Sequence, residues 1–184
     1  MKFPRISGRP EDMVRNRINR APLPMLSIGL PWISIMAASL VTFSPIVASA
    51  PVLPPLAYMM LLAWRMLRPG MLPVWAGFPL GAFDDLYSGQ PFGSGVLLWS
   101  ATMLAMEVID EKFLWRGFAQ DWLAGSLLLT SYLLLAAGIA GVATGFPMPL
   151  LIGPQLLPAL ILFPIVSSVV ALLDRVRLIP LKRI

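Results

Sequence analysis

Six apolar stretches, roughly residues 25–43, 52–67, 71–87, 92–109, 122–143 and 150–173, fill this chain and leave little polar sequence between them. Crossing a bilayer as a helix takes about 20 residues, with a range of about 17–25. The first, fourth, fifth and sixth stretches meet that length. The second and third are shorter and interrupted by Pro and Gly, so they are expected as a tilted, broken or partly re-entrant pair whose freed backbone groups must be buried by protein. With 184 residues, 58% of them hydrophobic and 12% charged, a water-soluble fold would have too little interior to hide the apolar surface. The sequence therefore predicts an all-α, polytopic integral membrane protein with six transmembrane helices.

Charge supplies an independent test of that count. Lys2, Arg5, Arg9, Arg15, Arg17 and Arg20 precede the first stretch, and Arg175, Arg177, Lys182 and Arg183 follow the last. Arg65 and Arg68 fall where the second stretch ends, and Lys112 and Arg116 fall between the fourth and fifth. With both ends in the cytoplasm, all fourteen basic residues lie on one side, as the positive-inside rule requires. Five spans would put one basic tail outside. The implied organisation is a basic cytoplasmic tail over 1–24, a six-helix membrane domain over 25–174 and a second basic tail over 175–184. The net charge of +5 thus reads as membrane flanks and not as a nucleic-acid surface. Residues 48–50, Ala-Ser-Ala, resemble a signal-peptidase site. The long polar lead, the helix-length apolar run and Pro51 favour a retained first helix. The basic first twenty residues suit anionic lipid, at roughly 1 kcal/mol per basic residue near the surface.

The chain has no Cys and no His. That removes disulfides, thiol chemistry, Ser-His-Asp triads and the commonest zinc ligands. Asp84 and Asp85 are adjacent, and successive helix positions diverge by about 100°, so they do not converge on one water. No catalytic, cofactor-binding or metal-ligating residue is assigned. Asp85 is expected to accept backbone N–H groups from the Gly/Pro turn that follows it. Glu107, Asp110 and Glu111, beside Lys112 and Arg116, read as a solvated inner loop with local ion pairs, with Glu107 placed to reach into the bundle. Glu107 and Arg116 are the candidate contacts for a cytoplasmic partner.

Within the stretches, Gly77 and Gly81 on one helix, and Ala137, Gly141 and Gly145 on another, have the four-residue spacing that permits close helix approach. Pro79, Pro154, Pro158 and Pro164 are expected to bend their helices. Trp32, Trp64, Trp75, Trp99, Trp115 and Trp122 stand mostly near predicted span ends and read as interfacial anchors. Met59, Met60, Met66, Met103 and Met106 read as adaptable packing.

The run from Gly81 to Gly93, GAFDDLYSGQPFG, has the pattern Gly-x-x-x-Asp-Leu-x-Ser-Gly-x-x-x-Gly with Pro in the turn. It resembles the signature of the rod-shape-determining MreD family of bacterial inner-membrane proteins, matched here by Gly81, Asp85, Leu86, Ser88, Gly89, Pro91 and Gly93. Asp84 is an additional acid relative to that pattern. The resemblance implies a non-enzymatic inner-membrane scaffold of cell-wall elongation and rod-shape maintenance. It would work with MreC-like and MreB-like proteins, a SEDS glycosyltransferase and a penicillin-binding transpeptidase in lateral peptidoglycan synthesis. The family is also similar in fold to substrate-binding subunits of energy-coupling-factor vitamin transporters. That gives an alternative function, with Gln155, Thr130, Ser131 and Tyr132 as the best polar candidates for a pocket.

Overall fold

The computed structural model describes residues 24–41, 54–112, 117–145 and 148–177. Both basic tails up to Arg20 and beyond Arg177, the Ala48-Ser49-Ala50 run, Trp115 and Arg116 lie outside the described residues. Among the described residues every regular element is helical: α1 Pro24–Val41, α2 Leu56–Leu67, a 3₁₀ turn Val74–Ala76, α3 Gly77–Tyr87, α4 Ser94–Lys112, α5 Phe118–Thr144 and α6 Met148–Arg177. α5 and α6 contain runs, Gln120–Ala143 and Gln155–Arg177, long and apolar enough to cross a membrane.

The two middle helices are short for local reasons. Pro54 and Pro55 lack the N–H groups that would extend α2 backwards. Their carbonyls instead receive the amides of Leu56 and Met59. At its other end α2 stops at Arg68, whose amide still bonds Trp64, and Gly70 at φ 83° turns the chain. A non-glycine residue would be strained there. Pro73 then opens the 3₁₀ turn by accepting from the Ala76 amide. At 1.5 Å per residue, α2 and α3 measure only about 18 and 17 Å.

α2 is nevertheless the central helix. Ala57, Tyr58, Met59, Leu61, Leu62, Ala63, Trp64 and Arg65 are all buried, against α1, α5 and α6. The core continues through Leu72, Leu80, Trp99, Met103, Leu129, Tyr132, Ala159 and Phe163. Trp64 and Trp99 are fully buried, contrary to the anchoring role expected from their positions. Neighbouring helices close over both indoles, so they join the core instead of an interface. Trp64 satisfies its indole N–H on Ser34 at 2.9 Å. Trp32 and Trp75 do pair near the surface, with ring centres 5.6 Å apart.

Gly77 and Gly81 are consumed inside the molecule. A Cβ on Gly81 would lie 2.6 Å from the Gly95 carbonyl oxygen, and one on Gly77 would lie 2.8 Å from that of Trp99. α3 and α4 therefore touch backbone to backbone. Ala137 is buried, but Gly145 is no part of a contact stripe. It takes φ 74° and caps α5 by donating its amide to Gly141 at 2.8 Å, the usual left-handed helix stop. α6 runs on through Arg175 and Arg177, which the sequence reading assigns to the tail. Basic residues suit the last turn of a helix, where carbonyl dipoles leave negative partial charge.

Candidate functional site

Asp85 ends α3, where the dipole makes an acid unfavourable. The fold answers by aiming its carboxylate at the first turn of α4. Oδ2 accepts from the Gly93 amide at 2.9 Å and the Val96 amide at 3.2 Å, and Oδ1 accepts from the Gly95 amide at 2.7 Å. One side chain thus terminates one helix and caps the next. Sequence reasoning anticipates a turn that ties back to Asp85. The Gly93 amide belongs to that turn, and the Gly95 and Val96 amides of the first turn of α4 join it. Hydrogen bonds to a charged group contribute about 1.5–3 kcal/mol each. With Asp85 only 6% exposed, water cannot replace them.

Each neighbouring motif residue has a definite task. Gly89 and Gly93 hold φ 67° and 97°, which swings the turn around and points the Gly93 amide inward. The Pro91 carbonyl accepts the Ser94 amide at 3.0 Å, and the Ser88 amide closes α3 on the Asp84 carbonyl at 2.9 Å. The Ser88 hydroxyl is buried with no hydrogen-bond partner among the described residues. Leu86 points outward, 66% exposed. Gly95 is the residue that sequence reasoning leaves out. A Cβ there would lie 2.5 Å from Asp85 Oδ1 and 3.0 Å from the Gly81 carbonyl. The available signal is its place beside Gly93 in a Gly-Ser-Gly run at the start of the fourth apolar stretch.

Asp84 points away from its neighbour, as helical geometry requires. It is equally buried and faces the Ser39 hydroxyl of α1. Across from it, the Tyr132 hydroxyl of α5 faces Asp84, Trp99 and Gln90. Tyr132 stacks on Tyr58 with ring centres 3.9 Å apart. The Tyr58 hydroxyl lies 2.9 Å from Thr102 Oγ1 and donates to the Leu128 carbonyl at 3.3 Å. A polar cluster therefore lies between α1, α2, α3, α4 and α5. Of the four residues singled out for a pocket, only Tyr132 joins it. Thr130 and Ser131 donate to the carbonyls of Ser126 and Leu127 in their own helix, and Gln155 is half-buried on α6.

At the opposite end of the bundle long-range ion pairs tie the helices together. Arg65 of α2 is 2% exposed and pairs with Glu107 and, at 3.0 Å, with Asp110 of α4. Its Nε and Nη1 have no hydrogen-bond partner among the described residues. The buried partner is Arg65, while the Glu107 side chain is 47% exposed and lies at the rim of the bundle. The physical reason is reach: a guanidinium carries its charge outward along an apolar stem. Arg68 binds Asp174 of α6 through Nε at 3.1 Å and Nη2 at 2.7 Å. That hydrogen bond, and then the charge of Asp174, raise the Arg68 guanidinium above its ordinary value. Arg177 meets the other oxygen of Asp174 at 3.1 Å. Glu111 and Lys112 stay exposed.

No protein-family model, curated protein or solved structure matches the chain. The resemblance of Gly81–Gly93 to the MreD signature rests on its residues alone.

Proposed function

We propose that the chain is a multi-pass protein of the bacterial inner membrane, six-helical with both ends cytoplasmic, and a non-enzymatic scaffold for lateral peptidoglycan synthesis. The observation that carries this reading is the single unit built by the MreD-like residues. Gly81 admits α4, Asp85 caps it, and Gly89, Pro91 and Gly93 shape the turn between. A pattern that resembles a family signature and is spent on one rigid helical hairpin suits a scaffold better than a reaction centre. MreC-like and MreB-like proteins, a SEDS glycosyltransferase and its transpeptidase are the partners of this reading. The inner end of α4, with Glu107, and Arg116 beyond it are the proposed cytoplasmic contacts. Depletion is expected to turn rods into spheres; unchanged width and wall insertion would sink the reading. A reporter fused after Ile184 should be cytoplasmic and one near Gly89 periplasmic.

A second reading, a vitamin-binding subunit of an energy-coupling-factor-type transporter, draws on the polar cluster of Tyr58, Tyr132, Trp99, Gln90 and Asp84. It predicts a thermal shift on adding one vitamin, which the scaffold does not.

A further inference from the structure

Asp84 and Asp85 are equally buried, each 6% exposed, yet only one has its charge answered. Asp85 takes the amides at the start of α4, those of Gly93, Gly95 and Val96. Asp84 instead faces two hydroxyls, Ser39 on α1 and Tyr132 on α5. Its charged neighbour is Asp85, of the same sign. A carboxylate buried in this way is paired with a cation, coordinates one or takes up a proton.

No described side chain supplies that positive charge. The basic residues among those described are Arg65, Arg68, Lys112, Arg175 and Arg177, all at the opposite end of the bundle. Arg65 meets α4 at Glu107, about 18 Å along that helix from Gly95, beyond the reach of an ion pair. α1 carries no charged residue, and the charged residues of α4 and α5 lie at their ends away from the turn. At 6% exposure Asp84 admits a small ion and not the side chain of another protein.

The atoms around Asp84 are those a small monovalent cation takes. One carboxylate balances one positive charge. Ser39 and Tyr132 add neutral oxygens, with Gln90 beside the Tyr132 hydroxyl, and hard cations prefer oxygen ligands. A divalent ion would want further acids. Asp85 is committed to amides, and no three acids gather among the described residues. Trp99 gives an independent sign that the cluster takes up a further species. Its side chain is fully buried and faces Tyr132. Its indole N–H nevertheless has no partner in hydrogen-bond geometry among the described residues. A water in an ion's shell would accept that hydrogen.

We propose that Asp84, Ser39 and Tyr132 form a site for an exchangeable monovalent cation, sodium or a proton, between α1, α3 and α5. Loading the site ties α1 and α5 to the Asp85 hairpin, so that end of the bundle tightens with sodium or with acid. Asp84 is the acid that the MreD-like pattern lacks. The site is therefore independent of any role in wall synthesis, and it needs no vitamin.

The test melts full-length protein in detergent across a sodium chloride series, with N-methyl-D-glucamine chloride holding ionic strength constant. A second series varies pH without sodium. Bound sodium should raise the melting temperature by about 3–6 °C between zero and ten times the half-saturating concentration, and Asp84→Asn should abolish the rise. A held proton gives no sodium response. The melt then falls as pH is raised, because the folded chain binds one proton more than the unfolded one, and Asp84→Asn should remove that fall. Sodium-independent melts with parallel pH profiles for parent and Asp84→Asn would overturn the proposal. So would a sodium response that Asp84→Asn keeps in full. Ser39→Ala keeps the charge and removes one oxygen, which decides the matter if Asp84→Asn does not fold. It should raise the half-saturating sodium concentration several-fold or, for a proton, move the pH midpoint upward; an unmoved midpoint in both series overturns the site.

Discussion

The two ends of the bundle bury charge by different means. At the α3–α4 turn Asp85 is satisfied by backbone amides eight to eleven residues away in the chain. At the other end Arg65 is paired with side chains 42 or more residues away, and Arg68 with Asp174, 106 residues away. The first arrangement belongs to one hairpin and forms when two consecutive helices meet. The second exists only once α2, α4 and α6 are assembled. Backbone donors are fixed by the helix that carries them, whereas guanidinium and carboxylate groups must each lose rotamer freedom to pair. The turn is therefore the stiffer site and the ion-pair end the more adjustable one.

That contrast can be broken at its strongest point first. Gly95→Val sets a branched side chain against Asp85 Oδ1 and the Gly81 backbone, and backbone cannot step aside cheaply. Loss of more than about 3 kcal/mol is expected, read as collapse of the thermal melt in detergent. Val96→Ala, one position on, should stay near the parent. At the ion-pair end, Glu107→Gln with Asp110→Asn leaves Arg65 buried and unpaired, a loss of about 3 kcal/mol. Adding Arg65→Met to that pair should recover much of it, because an apolar side chain of similar length removes the uncompensated charge. Failure to recover would show that Arg65 has a further partner.

Separating the two acids sharpens the comparison. Asp85→Asn keeps the shape but loses the charge and presents an NH₂ group to at least one N–H donor. A loss of about 2 kcal/mol is expected, with faster amide exchange at Gly93, Gly95 and Val96. Asp84→Asn keeps a hydrogen-bonding group opposite Ser39 and removes a buried charge, so the melt should move less than for Asp85→Asn. An equal or larger effect at Asp84 would reassign the key carboxylate. The smallest change is Arg68→Ala. Its guanidinium is 46% exposed, and such pairs contribute about 1 kcal/mol or less. The melt should shift slightly and the shift should shrink in high salt.

Much of this protein follows from its sequence taken a few residues at a time. Long apolar runs fix the helical class. Pro54, Pro55 and Pro73 shorten the middle helices because they remove donors. Asp85, Gly89, Pro91 and Gly93 define the turn because their partners lie within a dozen residues, and short-range hydrogen bonding is legible wherever the chain is locally rigid. Only the tertiary structure decides the rest. Trp64 and Trp99 look like anchors until neighbouring helices cover them. Arg65 looks like an inner-face charge until α4 brings Glu107 and Asp110 to it. Gly95 looks like an ordinary residue of an apolar span until α3 closes on it. Burial and charge pairing depend on which surfaces meet, and that is a property of the assembled helices, not of any one segment.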